Sequence, residues 1–178
     1  MKKNTLLFVV GAVCLAAAAA VYATGAPAVQ TAREALAALQ EDYSKVQALA
    51  YTGFVDLDTE APAALDGVLY FPVEDGEVKT LEDVRALLGR VYTQRKAAEV
   101  LDYCTGTTRV LTELDGRLYR ADAYEMGWPI GAEVDAAQWD GDALTVQVTL
   151  EWNEPVPGVL TLRQEGGAWK IDGIERAG

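Results

Sequence analysis

Few side chains in this sequence are suited to catalysis. The chain has 178 residues and no histidine, so it lacks the commonest general base, the commonest metal ligand and the usual partner of a nucleophilic serine or cysteine. Cys104 follows an apolar helical pattern, which favours a packed core residue over a nucleophile. The sequence also lacks a glycine-rich phosphate loop, a CxxC pair and a calcium-loop motif. We therefore predict a protein without catalytic residues, a cofactor or a metal site.

Three acidic residues alternate along one segment, namely Asp56, Asp58 and Glu60. Closely spaced carboxylates occur in calcium sites and in glycosidases. This segment has neither the turn glycine nor the terminal glutamate of a calcium loop, and no run of sugar-binding aromatic residues lies beside it. We interpret the three residues as part of a solvated loop.

The segment Ala121–Ala132 is the better candidate for a functional site. It is too long for a tight hairpin and joins two predicted strands, and Pro129 between two glycines favours a shaped loop. Methionine and aromatic residues on connecting loops are common where one protein binds another. The alternative is that Trp128 folds back over an open end of the sheet. The predicted partner-binding residues are Asp122, Tyr124, Glu125, Met126 and Trp128.

Helical patterns occupy the first half of the chain. A capping-box pattern at Thr31 and Glu34 predicts a helix that stops near Gly53. A second helix is predicted to start at Thr80 with Asp83 three residues on, and a shorter one to restart at Thr93. The apolar face of the first helix consists of Leu36, Leu39, Tyr43, Val46 and Ala50, and that of the second of Leu81, Val84, Leu87, Leu88 and Val91.

Strand patterns dominate the second half. A single strand is predicted at 67–73, and from Thr107 onward the apolar period changes to two. The dipeptides Asp115-Gly116 and Asp140-Gly141 and the tripeptide Glu165-Gly166-Gly167 favour hairpin turns. Helices followed by a run of antiparallel strands predict an α+β fold, with N-terminal helices packed on one face of a curved, mostly antiparallel, cone-like sheet.

The N-terminus has the order of an export signal. Lys2 and Lys3 precede an apolar run, and Val21-Tyr22-Ala23 offers a cleavage site. We predict a signal peptide at 1–23, a linker at 24–30 and a single domain at 31–178, located outside the cell or at the cell wall. Two alternatives remain: residues 5–22 could form a membrane anchor, or Cys14 could be lipidated.

The charge of the chain restricts its partners. It carries 27 acidic and 15 basic side chains, a net charge of −12, and loss of the signal with its two lysines makes the domain two charges more negative. Such a field repels nucleic acid and anionic membranes and favours a basic partner. The alternative is that acidity only keeps the domain in solution as a monomer.

The order of several motifs resembles a known family. These motifs are the Tyr70-Phe-Pro strand, the helix ending Gly89-Arg-Val-Tyr-Thr93, the Leu114-Asp-Gly-Arg-Leu-Tyr119 hairpin and the closing Gly167-Ala-Trp-Lys-Ile-Asp172 strand. Together they resemble the DL-endopeptidase inhibitor (IseA-type) family of exported bacterial proteins, over about residues 40–175. The resemblance implies a non-enzymatic protein that binds a peptidoglycan endopeptidase of the cysteine-peptidase class and blocks its active-site cleft with an exposed loop.

Two other functions stay open at this point. A domain of the nuclear-transport-factor-like type could hold a small apolar ligand, with Tyr70, Tyr92, Tyr103 and Trp152 as candidate lining residues. An accessory envelope protein without a ligand is the other alternative. An enclosed cavity would favour the first of these.

Overall fold

The structure, a computed structural model, describes residues 26–53, 55–122, 130–150 and 155–176, without the side chains of 130–132. It confirms the predicted α+β class, with three helices toward the N-terminal side and antiparallel strands after them. The strands form two four-stranded sheets, one of which curls into a half-barrel.

The first helix, α1, covers residues 26–47 and continues through a π-helical turn, Ala48–Thr52, that ends at Gly53. The five predicted apolar positions are all buried. The linker prediction is wrong for residues 26–30, which are helical, and Thr31 lies inside the helix, where its Oγ1 donates to the carbonyl of Pro27 at 2.9 Å. The extension has a physical cause, because it brings Ala28 beside Ala32 into the core, where neither is accessible to solvent.

The other two helices begin where their N-caps predict. Helix α2, Leu81–Val91, starts with a complete capping box between Thr80 and Asp83. Helix α3, Gln94–Asp102, starts at Thr93, whose side chain accepts from the backbone of Lys96. Another π-helical turn, Tyr103–Thr107, follows α3 directly.

The smaller sheet has the order β1-β2-β4-β3. Its strands are β1 Ala63–Leu65, β2 Val68–Pro72, β3 Leu111–Leu114 and β4 Arg117–Ala121. No strand is predicted from the sequence at the position of β1. This strand forms because Asp66 and Gly67 both adopt positive φ, the geometry of a two-residue hairpin turn.

The larger sheet has the order β5-β6-β7-β8. Its strands are β5 Ile130–Asp140, β6 Ala143–Leu150, β7 Val156–Glu165 and β8 Ala168–Arg176. The predicted turns join β5 to β6 and β7 to β8. The side chains of Leu144, Val146, Val148 and Leu150 alternate into the core. Trp139 on β5 and Trp169 on β8 are 5.7 Å apart between ring centroids. Since these are the first and last strands of the sheet, this contact requires the sheet to curl.

The helices and both sheets share one hydrophobic core. Tyr92 follows α2 and forms a parallel bridge with Ile171, so the connection between α2 and α3 runs along the edge of β8. No helix in the described residues has the length and hydropathy of a membrane span.

Candidate functional site

The predicted binding loop begins at the end of β4. Ala121 pairs with Tyr70 on β2, and its N–H donates to the carbonyl of Val110 at 2.8 Å. Asp122 follows with its side chain exposed. The other predicted binding residues, Tyr124, Glu125, Met126 and Trp128, lie outside the described residues. The structure thus defines the position from which the loop leaves the sheet.

A buried arginine fixes that position. Arg120 is only 1% exposed, and its guanidinium donates to the carbonyls of Leu49 at 2.8 Å, Ala121 at 2.8 Å and Tyr51 at 3.2 Å. The first and third carbonyls belong to the π-helical turn after α1, where a helix end carries partial negative charge. Burial lowers the pKa of Arg120, whereas the nearby carboxylate of Asp122 opposes this shift. The arginine therefore joins the end of α1 to the strand that carries Asp122.

Gly53 is adapted to this contact. It has φ of 74°, and a Cβ atom at this position would lie 2.9 Å from Nη1 of Arg120. A side chain here would meet both backbone strain and the guanidinium. Gly53 thus lets the chain end the π-helical turn in close contact with the guanidinium of Arg120.

Exposed apolar side chains lie beside the start of the loop. Leu65, Val68 and Leu69, on the β1–β2 hairpin, are 40%, 38% and 48% exposed; we call these three residues the hairpin patch. Leu65 pairs with Val68 on the face that Tyr70 shares, whereas Leu69 lies on the opposite face of the hairpin. Leu69 directly precedes Tyr70, the partner of Ala121, so it lies next to the point where Asp122 leaves the sheet. Clustered exposed apolar residues often mark contact sites. Sequence reasoning missed this patch, although three large apolar residues around an Asp-Gly turn are a usable signal.

Polar contacts hold the hairpin against the rest of the sheet. The hydroxyl of Tyr70 donates to the carbonyl of Arg109 at 2.7 Å, and the side chain of Arg109 lies 3.7 Å from the carboxylate of Asp66. A cleft of about 170 Å³ lies beneath the hairpin and is lined by Leu65, Val68 and Tyr70. These contacts hold the β1–β2 hairpin, and the hairpin patch with it, against the rest of the sheet.

The cysteine and the alternating acidic residues singled out in the sequence occupy structural positions. Cys104 is buried in the π-helical turn after α3. Asp58 lies 3.7 Å from Arg117 and accepts a hydrogen bond from the backbone of Glu60, while Asp56 is exposed. Among the described residues, no group of three or more acidic or cysteine side chains is arranged to hold a metal ion.

The aromatic residues proposed to line a ligand pocket have different partners. Tyr70 faces the cleft beneath the hairpin, and Tyr92 packs edge-on against Tyr43 in the core. Tyr103 stacks on Tyr51, whose pKa is raised by burial. Tyr92 and Tyr103 are thus neighbours of the same residue, Tyr51, whereas Tyr70 lies at the cleft. Trp152 lies outside the described residues.

No protein-family profile, curated protein or solved structure matches this chain. The function is therefore inferred from the geometry of the structure.

Proposed function

We propose that this protein is an exported, non-enzymatic binding protein that inhibits a cell-wall D,L-endopeptidase by occluding its active-site cleft. The contact surface comprises the hairpin patch together with the loop that begins at Asp122. The observation that carries the proposal is that the exposed side chain of Leu69 lies beside the exposed Asp122, on a hairpin that also exposes Leu65 and Val68 on its other face.

The chemistry of this surface fits a cysteine-peptidase cleft. Such an enzyme pairs a thiolate with a histidine that can be cationic, and a carboxylate such as Asp122 would be attracted to that charge. The hairpin patch would supply apolar contact area that excludes water around it. The negative charge of the whole chain would speed the approach to a basic enzyme.

The chain itself offers little for catalysis. It has no histidine, and Cys104 is buried in an apolar environment, where a thiolate is disfavoured. These features support a binding function over a hydrolytic one.

The test is inhibition of muropeptide release from peptidoglycan by the candidate D,L-endopeptidases of the host. Wild type should inhibit saturably, and Leu69→Asp should weaken inhibition at least tenfold because it places a charge in the contact. Trp139→Asp is the control, since it places the same charge at an apolar position that is 49% exposed but lies on the other sheet. Failure of wild type to inhibit any of these enzymes at high micromolar concentration would refute the function. Equal inhibition by Leu69→Asp would refute only the position of the contact.

A further inference from the structure

The chain contains five Asp-Gly dipeptides, which begin at Asp66, Asp75, Asp115, Asp140 and Asp172. Glycine has no side chain, so its backbone nitrogen can attack the side-chain carboxyl group of the preceding aspartate and rearrange the chain without an enzyme. Regular turns and strands do not hold the two groups in the geometry that this attack requires. In a folded protein the reaction therefore depends on how readily each dipeptide opens locally.

Two of the five aspartates are held by hydrogen bonds to their carboxylates. Asp75 accepts from the backbone N–H groups of Glu77 at 2.7 Å and Val78 at 3.0 Å. Asp172 accepts from the hydroxyl of Thr93 at 2.7 Å. Freeing either carboxylate for reaction would break these bonds, so we expect both sites to react slowly.

The other three dipeptides lie at hairpin turns. Asp140 pairs with Ala143 at the end of two long strands, β5 with 11 residues and β6 with 8. Asp66 and Asp115 each follow a leucine and have φ of 51° and 50°, and their glycines have φ of 82° and 74°. These last two turns thus share sequence and local geometry, and they differ in the hairpin that holds them.

The hairpin that carries Asp115 is anchored in the core. Leu111 on β3 and Leu118 on β4 are at most 1% exposed, and β4 lies between β2 and β3 in the sheet. Because opening this hairpin would disturb buried apolar contacts, its turn should open rarely.

The hairpin that carries Asp66 is held more weakly. Strand β1 has three residues and, among the described strands, pairs with β2 alone, and residues 64–69 are all exposed. The carboxylate of Asp66 has one partner in the described part of the chain, Arg109 at 3.7 Å, and both side chains are more than half exposed. An ion pair of this kind stabilises little. Few buried contacts therefore oppose the opening of β1.

We propose that Asp66 is the site at which this protein rearranges spontaneously to isoaspartate. The backbone nitrogen of Gly67 attacks the side-chain carboxyl carbon of Asp66, and the carboxyl hydroxyl leaves with the amide proton as water. The product is a five-membered succinimide ring, and water then adds to one of its two carbonyl carbons. Cleavage of the bond from nitrogen to the side-chain carbonyl restores aspartate, whereas cleavage of the bond to the backbone carbonyl gives isoaspartate.

Isoaspartate changes the hairpin because the chain then runs through the side-chain carboxyl group. It adds one methylene to the backbone of a turn whose two residues both adopt positive φ. The pairing of Leu65 with Val68 would be lost, and with it the arrangement of the hairpin patch. We therefore expect inhibition to decline as the protein ages. This consequence rests on the proposed function, whereas the rearrangement itself does not.

The test is incubation of the protein for several weeks at neutral pH and below its Tm, followed by peptide mapping with electron-transfer fragmentation, which distinguishes isoaspartate from aspartate. We expect isoaspartate to form at least about fivefold faster at Asp66 than at Asp115, because the β1–β2 hairpin opens more readily. In urea that unfolds the chain, the two sites should react at rates within about twofold of each other, since no hairpin then protects either.

Gly67→Asn should slow the reaction at Asp66 at least about fivefold, because asparagine tolerates positive φ but its side chain hinders the attacking nitrogen. Gly116→Asn is the matched control and should leave the rate at Asp66 unchanged. Equal or faster rearrangement at any of the other four aspartates in the folded protein would overturn the proposal, as would an unchanged ratio of rates in urea or an unchanged rate in Gly67→Asn.

The consequence for inhibition has its own readout. Aged protein enriched in isoaspartate at position 66 should inhibit the endopeptidase less than fresh protein. Equal inhibition by the two would refute the position of the contact and not the rearrangement, and failure of fresh protein to inhibit would refute the proposed function alone.

Discussion

Arg120 shows how one residue can determine where the proposed binding surface is presented. Its guanidinium connects the turn after α1 to the strand that ends beside Asp122. The contact joins residues 71 positions apart in the chain. No local pattern predicts it, because an arginine in a strand is ordinarily read as solvent-exposed.

Arg120→Met should test this role. Methionine has a similar length but no donors, so the carbonyls of Leu49 and Tyr51 would lose their hydrogen bonds from the guanidinium. We expect a loss of about 2 kcal/mol or more in the free energy of unfolding, measured by urea denaturation. Arg117→Met, at a more exposed position on the same strand, should change stability much less. A similar loss in both variants would contradict a special role for Arg120.

Gly53→Ala should also destabilise the protein. The new Cβ would force a non-glycine residue into the left-handed region and would approach the guanidinium of Arg120. The expected cost is about 1–2 kcal/mol, measured by thermal unfolding. Gly76→Ala is the control, since a Cβ atom there meets nothing within 4 Å and its φ is not positive. Stability of Gly53→Ala at the wild-type level would contradict the close contact.

At the level of elements, most local signals were correct, but the capping box predicted at Thr31 and Glu34 was wrong because Thr31 lies inside α1. Thr80 is the predicted N-cap of α2 and forms a capping box with Asp83, and Asp115-Gly116 makes the predicted turn between β3 and β4. These features depend on residues within a few positions of each other, so the sequence contains what determines them. Strand β1 and the start of α1 were missed because they depend on tertiary partners, β2 and the core.

Thr80→Ala should remove one side of the capping box. The backbone N–H of Asp83 would lose its acceptor, at a cost of about 1 kcal/mol, which corresponds to a fall in Tm of about 2–4 °C. Thr80→Ser keeps the hydroxyl and should retain most of the stability in a calorimetric scan. Equal Tm values for the two variants would show that the cap does not contribute.

Protonation of Asp172 should weaken the contact between β8 and the start of α3 at low pH. It accepts from Thr93 at 2.7 Å and from Arg95 at 3.0 Å, and lies 3.3 Å from Arg163. The hydrogen bond from Thr93, followed by the two arginines, holds the pKa of Asp172 below its ordinary value of 3.8. Its stabilising effect is therefore present above that value and is lost as the pH falls through the lower folded-state pKa.

We expect Asp172→Asn to lower Tm at pH 7 and to reduce the difference in Tm between pH 7 and acid conditions. Asp140→Asn, at an exposed position, serves as the control in the same series of scans. A mutant that keeps the full acid dependence of wild type would show that another group is responsible.

At the level of the whole molecule, the fold class followed from the sequence but the sheet arrangement did not. Helical periods followed by strand periods indicated α+β, and the structure bears this out. The division into two sheets, and the contact of Trp139 with Trp169 across the curled sheet, depend on twist and long-range packing. Of the proposed contact surface, Asp122 and its loop come from the sequence alone, whereas the hairpin patch required the pairing of β2 with β4.

Charge and apolar contact should have separable kinetic effects on the complex. Asp122→Asn combined with Glu125→Gln should mainly slow association and reduce its dependence on salt, because these charges act at a distance. Trp128→Ala should mainly raise the dissociation rate and cost about 2 kcal/mol or more in binding. Surface plasmon resonance at low and high salt measures both. Identical effects of the two variants on both rates would contradict this division.

Hydrogen exchange of the protein mixed with a saturating, catalytically inactive D,L-endopeptidase tests the proposed contact most directly. The account predicts slower exchange in residues 63–70 and in residues 122–132, with no change in the β7–β8 hairpin. Unchanged exchange at 63–70 in a complex that forms, or protection confined to the β7–β8 hairpin, would contradict it.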